Sequence, residues 1–388
     1  MKNITSFIIL LSVFGFCSPR SEIHYDIYRY SFKEAEVSNI FLSDIASEVK
    51  YIPLSNSKVL TMPARIYITA NDIILSERNE GIMRFDLNGN YINHIGRKGR
   101  GPGEYLTGLH FAINSADSLV YIKQREKIFI YNYSGGFLGQ ISDTILKRFS
   151  NIALIDDLFY FTSPIYAQPN FKHSRWLVTN KDLCVLQIKE DYTVFESSGF
   201  TLNESNSYIH NNSLHYWNNY LDTVYNINKT EVMPRLIFNK DKYGINPEIM
   251  TKQNIHQRLG DYYIVQYLQE TNHFFMLRYI YANQYYIGIL NKPDGNSQIA
   301  NISEEPLSGI ANDIDGGIEM YAQEFQIING AEYFITSVNA YQLKAHVASD
   351  AFKNSTPKYP EKKHELERLA NSLNENDNPV LMIVKLKE

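Results

Sequence analysis

Cysteine is nearly absent: Cys17 and Cys184 are the two in 388 residues, too few for a disulfide framework. The fold must therefore rest on apolar packing. An excess of basic charge is missing too. A net charge of −5 and a pI near 6.1 exclude the footprint of a nucleic-acid binder, or of a protein drawn to an anionic membrane by charge. Catalytic signatures are also lacking. There is no His-Glu-x-x-His, no Cys-His cluster and no Gly-x-Ser-x-Gly elbow. The ten histidines are scattered. His210 and His215 have the spacing of neither one helical face nor alternate strand positions, so both read as surface or hydrogen-bonded side chains. No catalytic residue, metal site or cofactor is expected.

Aromatic residues, by contrast, are plentiful, with Tyr 29 and Phe 21, and they favour packed sheet faces. The N-terminus carries Lys2 and then an apolar run from Phe7 to Phe16 broken only by Ser12 and Gly15. That pattern is a secretory signal, too short to span a bilayer stably. Cys17 falls where such a run ends, so residues 1–17 read as a lipoprotein signal with Cys17 acylated. Phe16 stands where a small residue is usual. No acidic run follows Cys17, which favours the periplasm-facing side of an outer membrane. Cys184 sits among Leu183, Val185 and Leu186 and reads as a small buried hydrophobe.

The organising stretch is Gly81 to Tyr105, GIMRFDLNGNYINHIGRKGRGPGEY. Two alternating runs flank Asn88-Gly89, a hairpin signal, and a loop rich in glycine and cations leads to the next strand. Tips at Gly89, Gly135, Asp182 and Thr230 recur every roughly 40–50 residues with four short strands per unit, the signature of propeller blades. The next tip, Asp294, comes later because residues 239–261 intervene, with a helical candidate over Pro247 to Leu259. Blade four is less regular, with its first strand at Gly199 to Leu202. The last unit has a hairpin over Asn329-Gly330, a helical insertion over 340–374 and a third strand at Val380 to Lys387, but no fourth. The run Lys50 to Leu54 supplies it, closing the ring and removing two exposed edges. The fold class is thus all-β, a six-bladed propeller over 48–388, preceded by a tether and extension over 18–47.

The sequences Phe85-Asp-Leu-Asn-Gly-Asn, Ile95-Gly-Arg-Lys-Gly-Arg-Gly-Pro-Gly-Glu-Tyr, Asn312-Asp-Ile-Asp-Gly-Gly and Asn376-Asp-Asn-Pro-Val-Leu, with Tyr51 to Leu54, resemble the secreted six-bladed propeller lipoproteins of Gram-negative bacteria, related in fold to TolB-like and NHL-like propellers. The resemblance implies the fold and an exported, anchored life. It implies no activity.

Two crossover loops carry the candidate binding residues at the channel mouth. In the first, Arg97, Lys98 and Arg100 stand beside glycine amides that could cradle an anion. Pro102 and a strand follow, which excludes a P-loop. The plainer role is a tight crossover whose arginines tie blades together through carboxylates, with Glu104 expected as the partner of Arg100. In the second, Asp313 and Asp315 invite a calcium reading. Ile318 stands where an EF-hand loop needs glycine, and a strand follows, so a salt link to a basic crossover loop is preferred. The insertion over 340–374 could cap the channel mouth, present a partner surface, or be a solvated decoration whose charged outer face is Lys362 to Arg368. These features point to a non-enzymatic envelope module that binds protein or glycan through its loop face, touching the membrane only through its lipid. The alternative is an NHL-like lyase or hydrolase with its site at the central channel.

Overall fold

A computed structural model of the chain describes residues 26–163, 173–191, 207–246, 259–302 and 308–388. The signal segment expected ahead of and at Cys17, the strand expected at Gly199 to Leu202 and nearly all of the helical candidate at Pro247 to Leu259 lie outside the described residues.

The N-terminal segment contributes β1 (Tyr28–Ser31), β2 (Glu36–Val37), the short helix α1 (Leu42–Ile45) and β3 (Ala46–Pro53). Six blades follow. Blade 1 is β4 to β7 (Arg65–Ile68, Asp72–Glu77, Gly81–Asp86, Tyr91–Ile95), and blade 2 is β8 to β11 (Phe111–Asn114, Leu119–Gln124, Lys127–Asn132, Phe137–Ser142). Blade 3 is β12 to β15 (Asn151–Ile155, Leu158–Thr162, His173–Thr179, Val185–Asp191), and blade 4 is β16 to β19 (Ser207–His210, Ser213–Tyr216, Thr223–Ile227, Val232–Asn239). Blade 5 is β20 to β23 (Ile264–Glu270, Phe274–Tyr281, Gln284–Asn291, Ser297–Ile302). Blade 6 is β24 to β26 (Glu324–Ile328, Ala331–Val338, Val380–Leu386), with β3 as its outermost strand. Between β25 and β26 run α2 (Ala340–Ala348), α3 (Asp350–Asn354) and α4 (Pro360–Ser372), the expected insertion.

The fold is a six-bladed propeller, as the repeat predicts. Each blade is packed on both faces by its neighbours, so burial in the middle strands runs on rather than alternating. Every residue of β5 is buried, whereas β11 at an outer edge is largely exposed. The core is accordingly a ring of wedges between blades. Ile52, Ile66, Ile73, Ile335 and Leu381 form the one that joins blade 6 to blade 1. The same Asn-Gly pair makes two different turns. At Asn329-Gly330 both residues have positive φ, giving a two-residue hairpin between Ile328 and Ala331. At Asn88-Gly89 only Gly89 does, because the Asp86 carboxylate accepts from the Asn88 and Asn90 amides (2.8 and 2.9 Å) and holds a wider turn.

Ring closure runs as expected but starts earlier. β3 pairs antiparallel with β26 from Ala46↔Leu386 to Pro53↔Val380. Within the N-terminal extension, residues 28–37 also join the sheets. β1 joins β19 in parallel and β2 joins β23 in parallel, as fifth strands of blades 4 and 5. Tyr30 anchors it, fully buried, with Phe32 stacked on Tyr263 at 4.4 Å. Gly288 is glycine because a Cβ there would meet the Tyr30 hydroxyl. In blade 4 the innermost strand is β16.

Cys184 is exposed, not buried. The turn explains the correction: the Asn180 side chain accepts from the Cys184 amide at 2.8 Å, and Leu183, at a φ of 63°, takes the buried position instead.

Candidate functional site

The six inner strands surround a central cavity of about 430 Å³. Inner strands have no sheet partner on the channel side, so their open edges must be satisfied by side chains. Glutamines do much of this. Gln326 on β24 accepts from the Ile68 amide at 2.7 Å and donates to the Ile66 carbonyl, bridging blade 6 to blade 1. Just before that strand, Gln323 donates to the Pro63 carbonyl at 2.6 Å. The polar lining is thus first a belt that stitches the ring.

Across the same seam Arg65 on β4 meets Glu324 on β24 at 2.8 Å, and Arg65 donates to the Tyr67 hydroxyl at 3.3 Å. Burial pushes the Glu324 carboxyl up from its ordinary value against the pull of Arg65, whose guanidinium stays charged. His110, also in the lining, is driven down to about 4 by burial and then by Arg65 and Lys123, so it is neutral at physiological pH. Gln266 is half-buried in the wall, and the buried Tyr267 hydroxyl has no hydrogen-bond partner among the described residues. Tyr67 and Phe325 add partly exposed aromatic surface, while Trp217 and Tyr160 border the cavity almost fully buried.

None of the six residues singled out from sequence lines this cavity. Lys98 comes nearest: its ammonium donates to the Arg78 and Asn79 carbonyls at 2.6 and 2.8 Å, and Arg78 stands exposed at the cavity rim. Glu104 folds back into its own loop, accepting from the Gly101 amide at 2.8 Å. A Cβ at Gly99 would collide with its carboxylate. Its arginine partner is Arg97, at 3.6 Å with 85% of that side chain exposed. Arg100, expected to be the paired one, is exposed and makes no ion pair among the described residues. Behind the loop Tyr105 is buried, donating to the Ile95 carbonyl at 3.0 Å.

Asp313 and Asp315 also differ from expectation. Instead of linking to a basic crossover loop, Asp313 accepts from the Ser43 amide and hydroxyl (2.8 and 2.6 Å) and pairs with Lys358 at 3.4 Å. Burial pushes its carboxyl up, but the Ser43 donors and Lys358 outweigh it and hold it below the ordinary value. Asp315 is buried, accepting from Asn312 at 2.6 Å and the Gly317 amide at 2.8 Å, and burial raises its carboxyl. This crossover pins α1 to the helical insertion.

Sequence reasoning missed a buried cluster behind the cavity wall. His210 on β16 and His215 on β17 are buried rather than surface residues, and they face Glu270 at 3.6 and 3.8 Å. Glu270 accepts from Arg235 Nε at 3.0 Å and Lys292 at 2.6 Å. The histidines meet because the β16–β17 register puts Tyr208 opposite His215 and His210 opposite Ser213, a pairing that no residue spacing announces. The one legible cue was Glu270 at the end of Ile264-Val-Gln-Tyr-Leu-Gln-Glu, the single ionised residue of that strand.

A family model described as Domain of unknown function (DUF4934) matches residues 29–385. No curated protein matches. Among solved structures the chain is similar to a candidate exported protein of Bacteroides fragilis NCTC 9343, at 18% identity and a TM-score of 0.68, over 94% of this chain and 100% of that one. That likeness speaks for the fold alone. Fainter likenesses are to BamB of Moraxella catarrhalis (8% identity, TM-score 0.39, 88% and 99% covered) and to PorZ of Porphyromonas gingivalis (11%, 0.33, 71% and 30%), too weak to argue from.

Proposed function

The chain belongs to the DUF4934 family of unknown function, and from that premise we propose that it is an exported, non-enzymatic binding module of the cell envelope. In this reading acylated Cys17 anchors it on the periplasm-facing side of the outer membrane. The loop face and the cavity behind it engage an envelope protein or glycan. One observation carries the proposal: the cavity's interior charges compensate each other, Arg65 against Glu324 at 2.8 Å, and its histidine is held neutral by burial. Such a wall recognises polar groups without a proton poised for transfer near neutral pH. The leader ahead of Cys17 supports export, as does the fold shared with a candidate exported protein.

The rival reading, an NHL-like lyase or hydrolase, draws on one fact. The Glu324 carboxyl, raised by burial, sits with Arg65 and Tyr67 from a different blade, and convergence of perturbed groups marks many active sites. Fractionation of cells carrying the full chain or its Cys17→Ser form tests location. The wild type should sediment with outer membranes and the variant should be released in the periplasmic extract. Retention of both in the cytoplasm would overturn the proposal. Glu324→Gln tests the chemistry: binding to envelope material should persist in a module, while a turnover that Glu324→Gln abolishes would establish the enzyme.

A further inference from the structure

We infer that the central cavity takes an uncharged polyhydroxylated ligand of mono- or disaccharide size. This rests on the reading of the protein as a binding module and adds the class of ligand. At about 430 Å³ the space falls within the roughly 300–1,000 Å³ of small-molecule pockets.

The wall decides the chemistry by elimination. A charged ligand entering it would give up hydration and find no uncompensated counter-charge inside among the described residues, since Arg65 and Glu324 already satisfy each other. An anion would be placed beside the Glu324 carboxylate and a cation beside the Arg65 guanidinium, and desolvation of either is costly without a partner. Arg78, the rim cation, is exposed and screened by salt. An apolar ligand fares no better, because it would leave the Gln266 amide, half-buried in the wall, unpaired. A sugar satisfies both constraints. Its hydroxyls donate and accept, so each can meet an amide, a phenol or one edge of the Arg65–Glu324 pair. Its C–H face can lie against Tyr67 and Phe325, the partly exposed aromatic side chains of the wall.

The test uses the full chain and saturation-transfer NMR with D-glucose, D-galactose, N-acetyl-D-glucosamine and cellobiose as neutral probes. D-glucuronate and D-glucosamine serve as their charged counterparts. At least one neutral sugar should give a signal at millimolar concentration that exceeds both charged probes. Gln266→Leu, with an unchanged melt, should weaken it about tenfold, the equivalent of about 1.4 kcal/mol; His364→Ala on the far surface of α4 should not. Should Gln266→Leu fail to fold, a second readout remains. The chain has two tryptophans, so in Trp176→Phe the indole emission reports from the cavity at Trp217 and should shift on adding the neutral sugar. Stronger signals from glucuronate or glucosamine would overturn the ligand class and leave the module reading standing. Absence of signal from every probe would overturn the inference, while the fractionation of Cys17→Ser judges the module reading separately.

Discussion

Replacing Glu270 with glutamine keeps the shape of the side chain and removes only its charge, which isolates the electrostatics of the cluster between blades 4 and 5. Glu270 is fully buried. It accepts from Arg235 and Lys292 and from the Tyr208 hydroxyl at 3.3 Å. Burial pushes its carboxyl up, but the Arg235 hydrogen bonds and the positive neighbours win and bring it down to about 2. In Glu270→Gln two cations that face this carboxylate keep their desolvation and lose their counter-charge. Breaking one partner of a buried pair costs about 3–5 kcal/mol. For a chain of this length 1 kcal/mol moves the midpoint by only about 1–2 °C, extrapolating the size trend, so the expected fall is about 3–10 °C by calorimetry. Urea unfolding should give the same loss in free energy at an unchanged slope. Pairing Glu270→Gln with Lys292→Met should recover part of the loss, since the second change removes one stranded cation. A loss below about 1 kcal/mol in Glu270→Gln would refute the reasoning, meaning that water or relaxation already neutralises the site.

The same cluster predicts acid sensitivity. Burial holds His210 down to about 4 and His215 to about 3, below the unfolded value near 6.5, so the unfolded chain binds more protons. Stability should fall as pH drops from about 6.5 towards 4, by up to about 1.4 kcal/mol per pH unit per histidine; a melting curve flat over that range would count against it. Deleting the chain through Asn56 removes β3 with buried Val49 and Ile52, and buried Leu54 just after it, each contributing about 1.5–3 kcal/mol, and should unfold the propeller as seen by circular dichroism. Deleting only through Val37, which strips β1 and β2, should lower the melting point yet leave a folded ring; equal outcomes would sink the closure argument. Arg100→Glu should stay within about 0.5 kcal/mol of wild type in denaturant unfolding, because the side chain is exposed and unpaired; a larger loss would reveal a partner. Gly288→Ala should destabilise by driving a methyl into the Tyr30 hydroxyl, on the order of 1–3 kcal/mol for overpacking, and Tyr30→Phe should relieve it.

The repeat, the number of blades, the closing strand and the insertion were all legible in the chain because each is a local pattern. Turn residues punctuate strands, and apolar runs mark the strands packed on both faces. The candidate sites were legible only as residue types. Arg100 and Arg97 look alike in sequence, and the choice of which lies over Glu104 belongs to the path of one loop. Asp313 and Asp315 read as a pair facing cations across the channel mouth. In the structure Asp313 holds Ser43 and Lys358 while Asp315 is buried, because their crossover is clamped between α1 and the helices of blade 6.

The periodic spacing of turns and the apolar strands between them were enough to specify a closed six-bladed ring, since a blade can bury its two faces only against neighbours of its own kind. Which polar side chains meet was left to the tertiary structure. The Arg65–Glu324 pair joins the first and last blades across a seam that exists only once the ring is shut. The Glu270 cluster gathers residues of blades 4 and 5 whose contact depends on strand register and blade twist. Hydrophobic patterning is written along the chain with the period of the strand. Contacts between blades have no such period, so the cavity and its charge balance emerge only when the ring closes.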